Sequence, residues 1–464
     1  MASQRPRAFA ETLARRGHTV TVLTKKVPPK DTVPYPAGVE VIETVPEDEK
    51  VFAPATDIPL TRRVLAALSV LPSSPAVFVL KRPRLTSLFG INPQKAERSL
   101  DELNSRRHQT ATGVRSVSEN RKWYRESVPL VDRKLAGREP YDVVFATYGG
   151  HGSVWLGRHL VSKGFARNLI VDFRDLMDQP GPFFPLRLFK RLQQEKATRR
   201  GDSVTVISEG LRDNLRDGLV RNKHGEKISV LYNGFVPREM EAGPRVTPDN
   251  TLRIAYTGSL YRGRRDASPL FQALGALLDN EYDLPIEVHY AGPSGEVFRA
   301  AARAHGVSCL AFDHGVLPRA EALRLQEDAD LLLALSWNTR GSEGILSGKF
   351  PEYLGAGKPI ISIVAGDLPN AELTRLVNEM SVGVSVEEVT AERDIEKLSR
   401  YLRRCLDAKK AGVPVPHDPV ADEVAAFNYE TLTDTLEAII AGLGSGQRKK
   451  NFPLLKSLLK SSQR

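Results

Sequence analysis

The sequence predicts an α/β protein built as two parallel-sheet domains. Three observations predict it. Short apolar runs alternate with helical stretches over most of the chain, the pattern of parallel strands covered on both faces. At 464 residues the chain exceeds what one hydrophobic core usually serves. Pro237–Asn250, mixing Pro, Gly and charge, separates two blocks of this alternation and reads as a linker. The expected plan is a first domain over 1–236, a linker over 237–250 and a second domain over 251–426. A helix over 427–443, crossing back to the first domain, and a basic, disordered tail over 444–464 complete it.

The elements follow in order. Arg5–Arg16 reads as an amphipathic helix with Phe9 and Leu13 on one face. Gly17 stops it, and His18–Thr24 is a β-branched strand. A nucleotide-binding sheet normally opens with a strand and a Gly-rich loop before such a helix, and here neither precedes it. The chain therefore reads as entering its first domain one strand late, from a start codon placed too far downstream or a truncated copy. Residues 45–140 give no clear periodicity. Strands then resume at Tyr141–Tyr148, Asn168–Phe173, Asp202–Ser208 and Lys227–Tyr232. Helices near 153–163, 186–200 and from Glu209 lie between them, and Asn233-Gly234 is a turn. The second domain opens at Leu252–Tyr256 and continues with strands at Ile286–Tyr290, Leu310–Phe312, Leu331–Leu335 and Ile360–Val364.

Formal charge is +10, from 66 Lys and Arg against 56 Asp and Glu. That suits phosphate-bearing partners and serves solubility equally well. Cys309 and Cys405 are the only cysteines, so neither a disulfide framework nor a cysteine zinc site is expected, and a cytoplasmic setting fits. Val64–Leu80 is free of charge but broken by Pro72 and Pro75, too short to span a bilayer. Basic pairs flank it, and the tail carries Leu454, Leu455, Leu458 and Leu459 among six cations and no acid. Both read either as contacts to an anionic membrane surface or as ordinary core and disordered tail. No groove-reading motif is present, so nucleic acid is not expected as a partner.

The most informative block is Ser342–Pro359. A Gly-rich turn runs into a short helix carrying Lys349 and Glu352, and Pro359 leads into the next strand. A helix start offers unpaired N–H groups and positive potential to a phosphate, and Lys349 adds a charge there. Glu352, about one turn on, can accept from ribose hydroxyls. Upstream, Gly258-Ser259 begins a turn that carries Arg264 and Arg265. Gly258 permits close backbone approach to phosphate, and either arginine suits a bidentate clamp. In the first domain His151 follows a strand in a Gly-rich loop, and Asp172, Arg174 and Asp175 end another, where a parallel sheet's carboxyl edge lines a cleft. No spacing suggests a metal site.

Together these motifs resemble the GT-B-fold glycosyltransferases, specifically the retaining family 4 (glycosyl transferases group 1) type. Ser342–Pro359 is similar to that family's donor motif, Gly258–Asp266 to its diphosphate loop, and Asn233-Gly234 to the close of its first domain. Arg7–Thr24 is similar to its first helix and second strand. The resemblance implies two Rossmann-like parallel-sheet domains facing a cleft, a nucleotide diphosphate sugar as donor, a glycan or lipid-linked acceptor, and no further cofactor. It implies donor or nucleotide contacts at Gly258, Ser259, Arg264, Arg265, Lys349 and Glu352. It places catalytic candidates at His151, Asp172 and Glu343. Two departures stand out: Ser259 replaces a common basic residue, and the first donor-motif carboxylate falls at Gly344, one residue after Glu343. A non-catalytic relative and a sugar-nucleotide epimerase are the alternatives.

Overall fold

The computed structural model describes residues 4–25, 37–44, 93–178, 181–218, 222–236, 250–261, 264–279 and 285–444. The Val64–Leu80 run, the tail beyond Gly444, linker residues 237–249 and Arg262 lie outside them.

The first domain begins with α1 (Gln4–Arg15), β1 (Val20–Lys25) and β2 (Val39–Thr44), then α2 (Pro93–Leu135). It continues with β3 (Tyr141–Tyr148), α3 (His151–Ser162), β4 (Ala166–Phe173) and α4 (Phe184–Arg200). It closes with β5 (Ser203–Val206), α5 (Glu209–Asp217) and β6 (Ile228–Val230). Strands β3, β4, β5 and β6 form a parallel sheet in that order. Strands β1 and β2 form a separate parallel pair. Among the described residues the sheet is thus interrupted between β1 and β3. Side chains tie the two pieces instead: Thr21 Oγ1 and Tyr141 Oη share a hydrogen bond at 2.6 Å. Ile42, Val131, Leu135, Leu156 and Leu160 form a small core beneath them.

The second domain contains β7 (Leu252–Thr257), α6 (Ser268–Leu278), β8 (Ile286–Ala291), α7 (Gly295–Ala304) and β9 (Ala311–Asp313). It continues with α8 (Arg319–Asp328), β10 (Leu331–Trp337), α9 (Lys349–Gly355), β11 (Ile360–Ala365) and α10 (Glu372–Glu379). Strand β12 (Gly383–Glu387), α11 (Ala391–Lys410) and the short α12 (Ala421–Ala425) follow. All six strands are parallel, in the order β12-β11-β10-β7-β8-β9. Their side chains are buried on both faces, as in Leu331–Leu335, where every residue is nearly inaccessible. The architecture is the predicted one, two Rossmann-like parallel-sheet domains.

The last helix, α13 (Tyr429–Gly444), lies against α1 of the first domain. Arg16 meets Asp434 and Glu437, each at 2.6 Å, and Phe9 meets the Tyr429 ring edge-on at 5.3 Å. The turn entering it is pinned by Phe235 N–H donating to Phe427 O and Tyr429 N–H donating to Phe235 O. A side chain at Gly234 would strike Leu432 and the Phe427 carbonyl, which explains the glycine of Asn233-Gly234.

Beyond α10, β12, α11 and α12, which the sequence reading did not name, two elements of the first domain went unread. Helix α2, 43 residues long and spanning roughly 65 Å, fills much of the stretch without clear periodicity. Strand β2 is short and alternates weakly.

Candidate active site

Parallel sheets present the carboxyl ends of their strands on one edge, and ligands of such folds bind there. In the second domain that edge gathers the Gly258 turn, the end of β10 and α9. Gly258 has φ +155° and donates its N–H to Ala291 O at 2.9 Å. Tyr290 Oη donates to Gly258 O, and Tyr256 Oη donates to Ser259 O, each at 2.9 Å. The Gly258 carbonyl also sits where a side chain at Gly292 would have to go. Two glycine turns therefore lie back to back, held from below by two buried tyrosines.

The two arginines of this turn differ. Arg265 is 8% exposed and folds back, donating to Tyr256 Oη and Ser259 O, each at 3.4 Å. Its guanidinium lies 4.4 Å from the Tyr261 ring and 5.6 Å from that of Trp337. Arg264 is exposed and stands 5.8 Å over Trp337. Arg265 thus shapes the turn, and Arg264 is the arginine presented to solvent.

Helix α9 has only seven residues, so its cation matters more than its dipole. Lys349 Nζ donates to Glu352 Oε1 at 2.9 Å. Gln326 on α8 donates to the same oxygen at 2.8 Å and to Thr257 Oγ1 at 2.7 Å. One buried glutamine therefore ties Glu352 to the residue before Gly258. Arg319 stands 3.7 Å from Glu352 Oε2, an oxygen with no hydrogen-bond donor. Burial pushes the Glu352 carboxyl up, but the Lys349 charge and hydrogen bond, Gln326 and Arg319 outweigh it and hold it below the ordinary range. Glu352 is anionic at neutral pH, with one oxygen still open to a donor. Gln326 Oε1 and Trp337 Nε1 are likewise buried and unpartnered.

The loop before α9 touches the first domain. Gly344, at φ +68°, meets Gly210 at the start of α5 backbone to backbone, and a Cβ at either would collide with the other. This explains the displaced carboxylate: position 344 has no room for a side chain. Glu343 carries it one residue earlier, with Oε2 buried and unpartnered and its carbonyl 3.5 Å from Asn214 Nδ2.

Beside this contact, Glu372 of α10 reaches across the domain boundary. It accepts from Glu209 N–H at 2.7 Å, Gly210 N–H at 3.0 Å and Tyr232 Oη at 3.0 Å. Arg375 pairs with Glu209 at 2.5 Å. A carboxylate from one domain thus caps a helix of the other.

In the first domain the catalytic candidates separate. His151 begins α3, is 3% exposed, and sits among the rings of Tyr148, Trp155 and Phe189 at 5.6, 5.6 and 5.9 Å. Burial, with Lys190 nearby, pushes its pKa down to about 4, so it is a neutral imidazole with Nε2 unpartnered. It carries no charge at neutral pH. A His held neutral in the fold stabilises it above its unfolded pKa, and that stability fades as pH falls toward about 4. Wild type is expected to lose roughly 2–3 kcal/mol more than His151→Phe between pH 6.5 and 4. Melting curves across that window check it.

Asp172 is the correction. It is fully buried, and both oxygens are taken: Arg5 Nε at 3.1 Å, Arg5 Nη2 at 2.8 Å and Thr205 Oγ1 at 2.8 Å. Arg5 also donates to Tyr232 O and Leu231 O. Asp172 fastens α1 to the sheet and has no face left for substrate. Asp175, two residues after the end of β4, is exposed.

Sequence reading missed Gln326, Arg319, Trp337 and Glu372. Each reaches the site from a distant element, and only the buried polar character of Gln326 within a helix offered a local signal.

Two parallel-sheet domains, with a glycine-rich turn and a Lys–Glu pair on the facing edge of the second, define a GT-B glycosyltransferase. Residues 2–234 match the family model described as glycosyl transferase 4-like domain, half of the chain, and the chain belongs to that family. No curated protein matches it in sequence. Sucrose-phosphate synthase from Thermosynechococcus elongatus shares the fold at TM-score 0.51 and 16% identity, over 95% of this chain and 92% of that one. WaaG, a glycosyltransferase involved in lipopolysaccharide biosynthesis, aligns at TM-score 0.46 and 15% identity, over 94% of each chain.

Proposed function

We propose that this chain transfers a hexose-type sugar from a nucleotide diphosphate sugar to a glycan or lipid-linked acceptor in cell-surface polysaccharide synthesis. Retention of configuration and independence of metal are part of the reading. One observation supports it above the others: Gln326 draws the Lys349–Glu352 pair to the Gly258 turn. A diphosphate would lie between that turn and Lys349, with Arg264 beside it. Glu352 Oε2 would take a ribose hydroxyl, and Glu343 Oε2 would face the donor sugar. Charge developing on the departing diphosphate is then offset by Lys349 without a protein nucleophile. Among the described residues no helix is long and apolar enough to cross a membrane. We place the protein in the cytoplasm, peripheral at the inner membrane face.

A thermal-shift panel of UDP-, GDP-, ADP- and dTDP-sugars tests the reading. One nucleotide is expected to raise the melting temperature as its concentration passes Kd, and product analysis with that donor to show transfer or slow hydrolysis. No shift with any of them rejects it. The interruption between β1 and β3 among the described residues favours a second reading, a binding protein without catalysis. A shift with neither transfer nor hydrolysis selects that one.

A further inference from the structure

Helix α4 already has a complete inner face. Leu186, Gln194, Ala197 and Thr198 are buried, and Gln194 Oε1 accepts from the N–H groups of Met177 and Asp178. Its outer face nevertheless carries a second apolar row. Phe184 is 72% exposed, Leu188 40% and Leu192 53%. Their spacing of four residues sets them one above another along the helix.

The charges around the row are almost all positive. Arg187, Arg191, Lys196, Arg199 and Arg200 are exposed on the same helix, against one acid, Glu195. Arg187 meets Asp178 at 3.2 Å, which leaves the net sign unchanged. Arg158 of α3 adds another cation beside the far end, where burial and the like charges of Arg200 and Arg199 lower its pKa. Apolar side chains among long cationic ones suit the boundary between acyl chains and anionic headgroups, because the stems can lie along the apolar zone while the charged ends stay with phosphate. An acidic protein surface would match the charges but not three protruding apolar side chains in a line.

We propose that the outer face of α4 docks the protein on an anionic lipid bilayer, with Phe184, Leu188 and Leu192 inserted and the surrounding arginines on headgroup phosphates. The inner side of the same helix places Phe189 on the His151 ring at 5.9 Å. Docking through α4 therefore brings the bilayer close to the first domain's side of the cleft, where a lipid-linked acceptor would enter. The inference rests on the peripheral location proposed above and names the surface responsible. Vesicle binding is read without donor or acceptor, so its failure is distinct from failure of transfer.

The test uses the full chain with vesicles of phosphatidylcholine alone and of phosphatidylcholine with phosphatidylglycerol. Wild type is expected to sediment with the anionic vesicles only, and salt to release it. L188E/L192E is expected to lower binding about tenfold or more, and R191E/R199E to abolish preference for anionic lipid. The Phe184→Trp variant should shift its emission to the blue, relative to wild type, on anionic vesicles and stay unchanged with phosphatidylcholine. Both charge variants should keep the wild-type melting temperature, since the altered side chains are exposed. Equal binding by wild type and L188E/L192E overturns the proposal, as does an unshifted emission from the Phe184→Trp variant. Conversion of a dimer to a monomer by L188E/L192E, without any wild-type vesicle binding, assigns the row to a second copy instead.

Discussion

Asp172→Ala is expected to destabilise the first domain by about 3–5 kcal/mol, lowering its melting temperature by roughly 10 °C. The cause is the charge it abandons. Arg5 is 2% exposed and would keep its hydrogen bonds to Leu231 O and Tyr232 O but lose the carboxylate that balances it. A buried ion pair costs far more to break on one side than to replace whole. Arg5→Met with Asp172→Leu should therefore recover most of the loss. The pair also anchors α1, and α1 in turn holds α13 through Arg16. Unfolding of the single variant should accordingly loosen both chain ends together, measurable as faster amide exchange in α1 and α13 at once. The double variant, once folded, should retain donor hydrolysis within a few-fold of wild type. A folded but inactive double variant would return Asp172 to the catalytic set.

How far the sequence could be read depended on whether the signal was local. Tyr141–Tyr148 is a strand end to end because six of its eight residues, all but Asp142 and Ala146, are of β-forming type and Pro140 and Gly149 bound it. Lys349 and Glu352 were legible because both lie on one short helix, three residues apart, and a local pattern can encode that. Helix α2 was not, since it is polar on nearly every side and carries Pro129 inside. Its apolar residues, among them Leu100, Leu103, Val114, Val117, Val128, Val131 and Leu135, are sparse until the last turns and do not hold one helical period. Asp172 looked catalytic because strand ends line clefts. Nothing near it announces that Arg5, 167 residues away, fills that space. Glu372 was invisible for the same reason, as its partners belong to the other domain. The displaced Glu343 was legible as a departure, but its explanation, the Gly210–Gly344 contact, required both domains in place.

Lys349→Ala is expected to reduce kcat/KM for the donor by about 10²–10³-fold, with most of the loss in kcat. A charge that meets a departing diphosphate interacts more strongly as that group leaves, so its removal costs the transition state more than the bound donor. Nucleotide diphosphate should still bind, several-fold more weakly, through the Gly258 turn and Arg264. The fold should change little, because Gln326 keeps Glu352 hydrogen-bonded at 2.8 Å and Arg319 remains 3.7 Å away. Glu352 supplies a check that separates this role from a structural one. Its carboxyl is held low partly by Lys349, so it stabilises the fold above its unfolded pKa, and that contribution is lost as pH falls through the folded value. Without Lys349 the folded value rises toward the ordinary range, and the part of the acid loss of stability that Glu352 contributes should shrink. Lys349→Arg should restore the pH–stability profile, because the charge returns. It should restore turnover only in part, because a guanidinium fork does not occupy the place of an ammonium. A variant with the shifted pH profile and unchanged kcat would make Lys349 a partner of Glu352 alone and remove it from the leaving-group site.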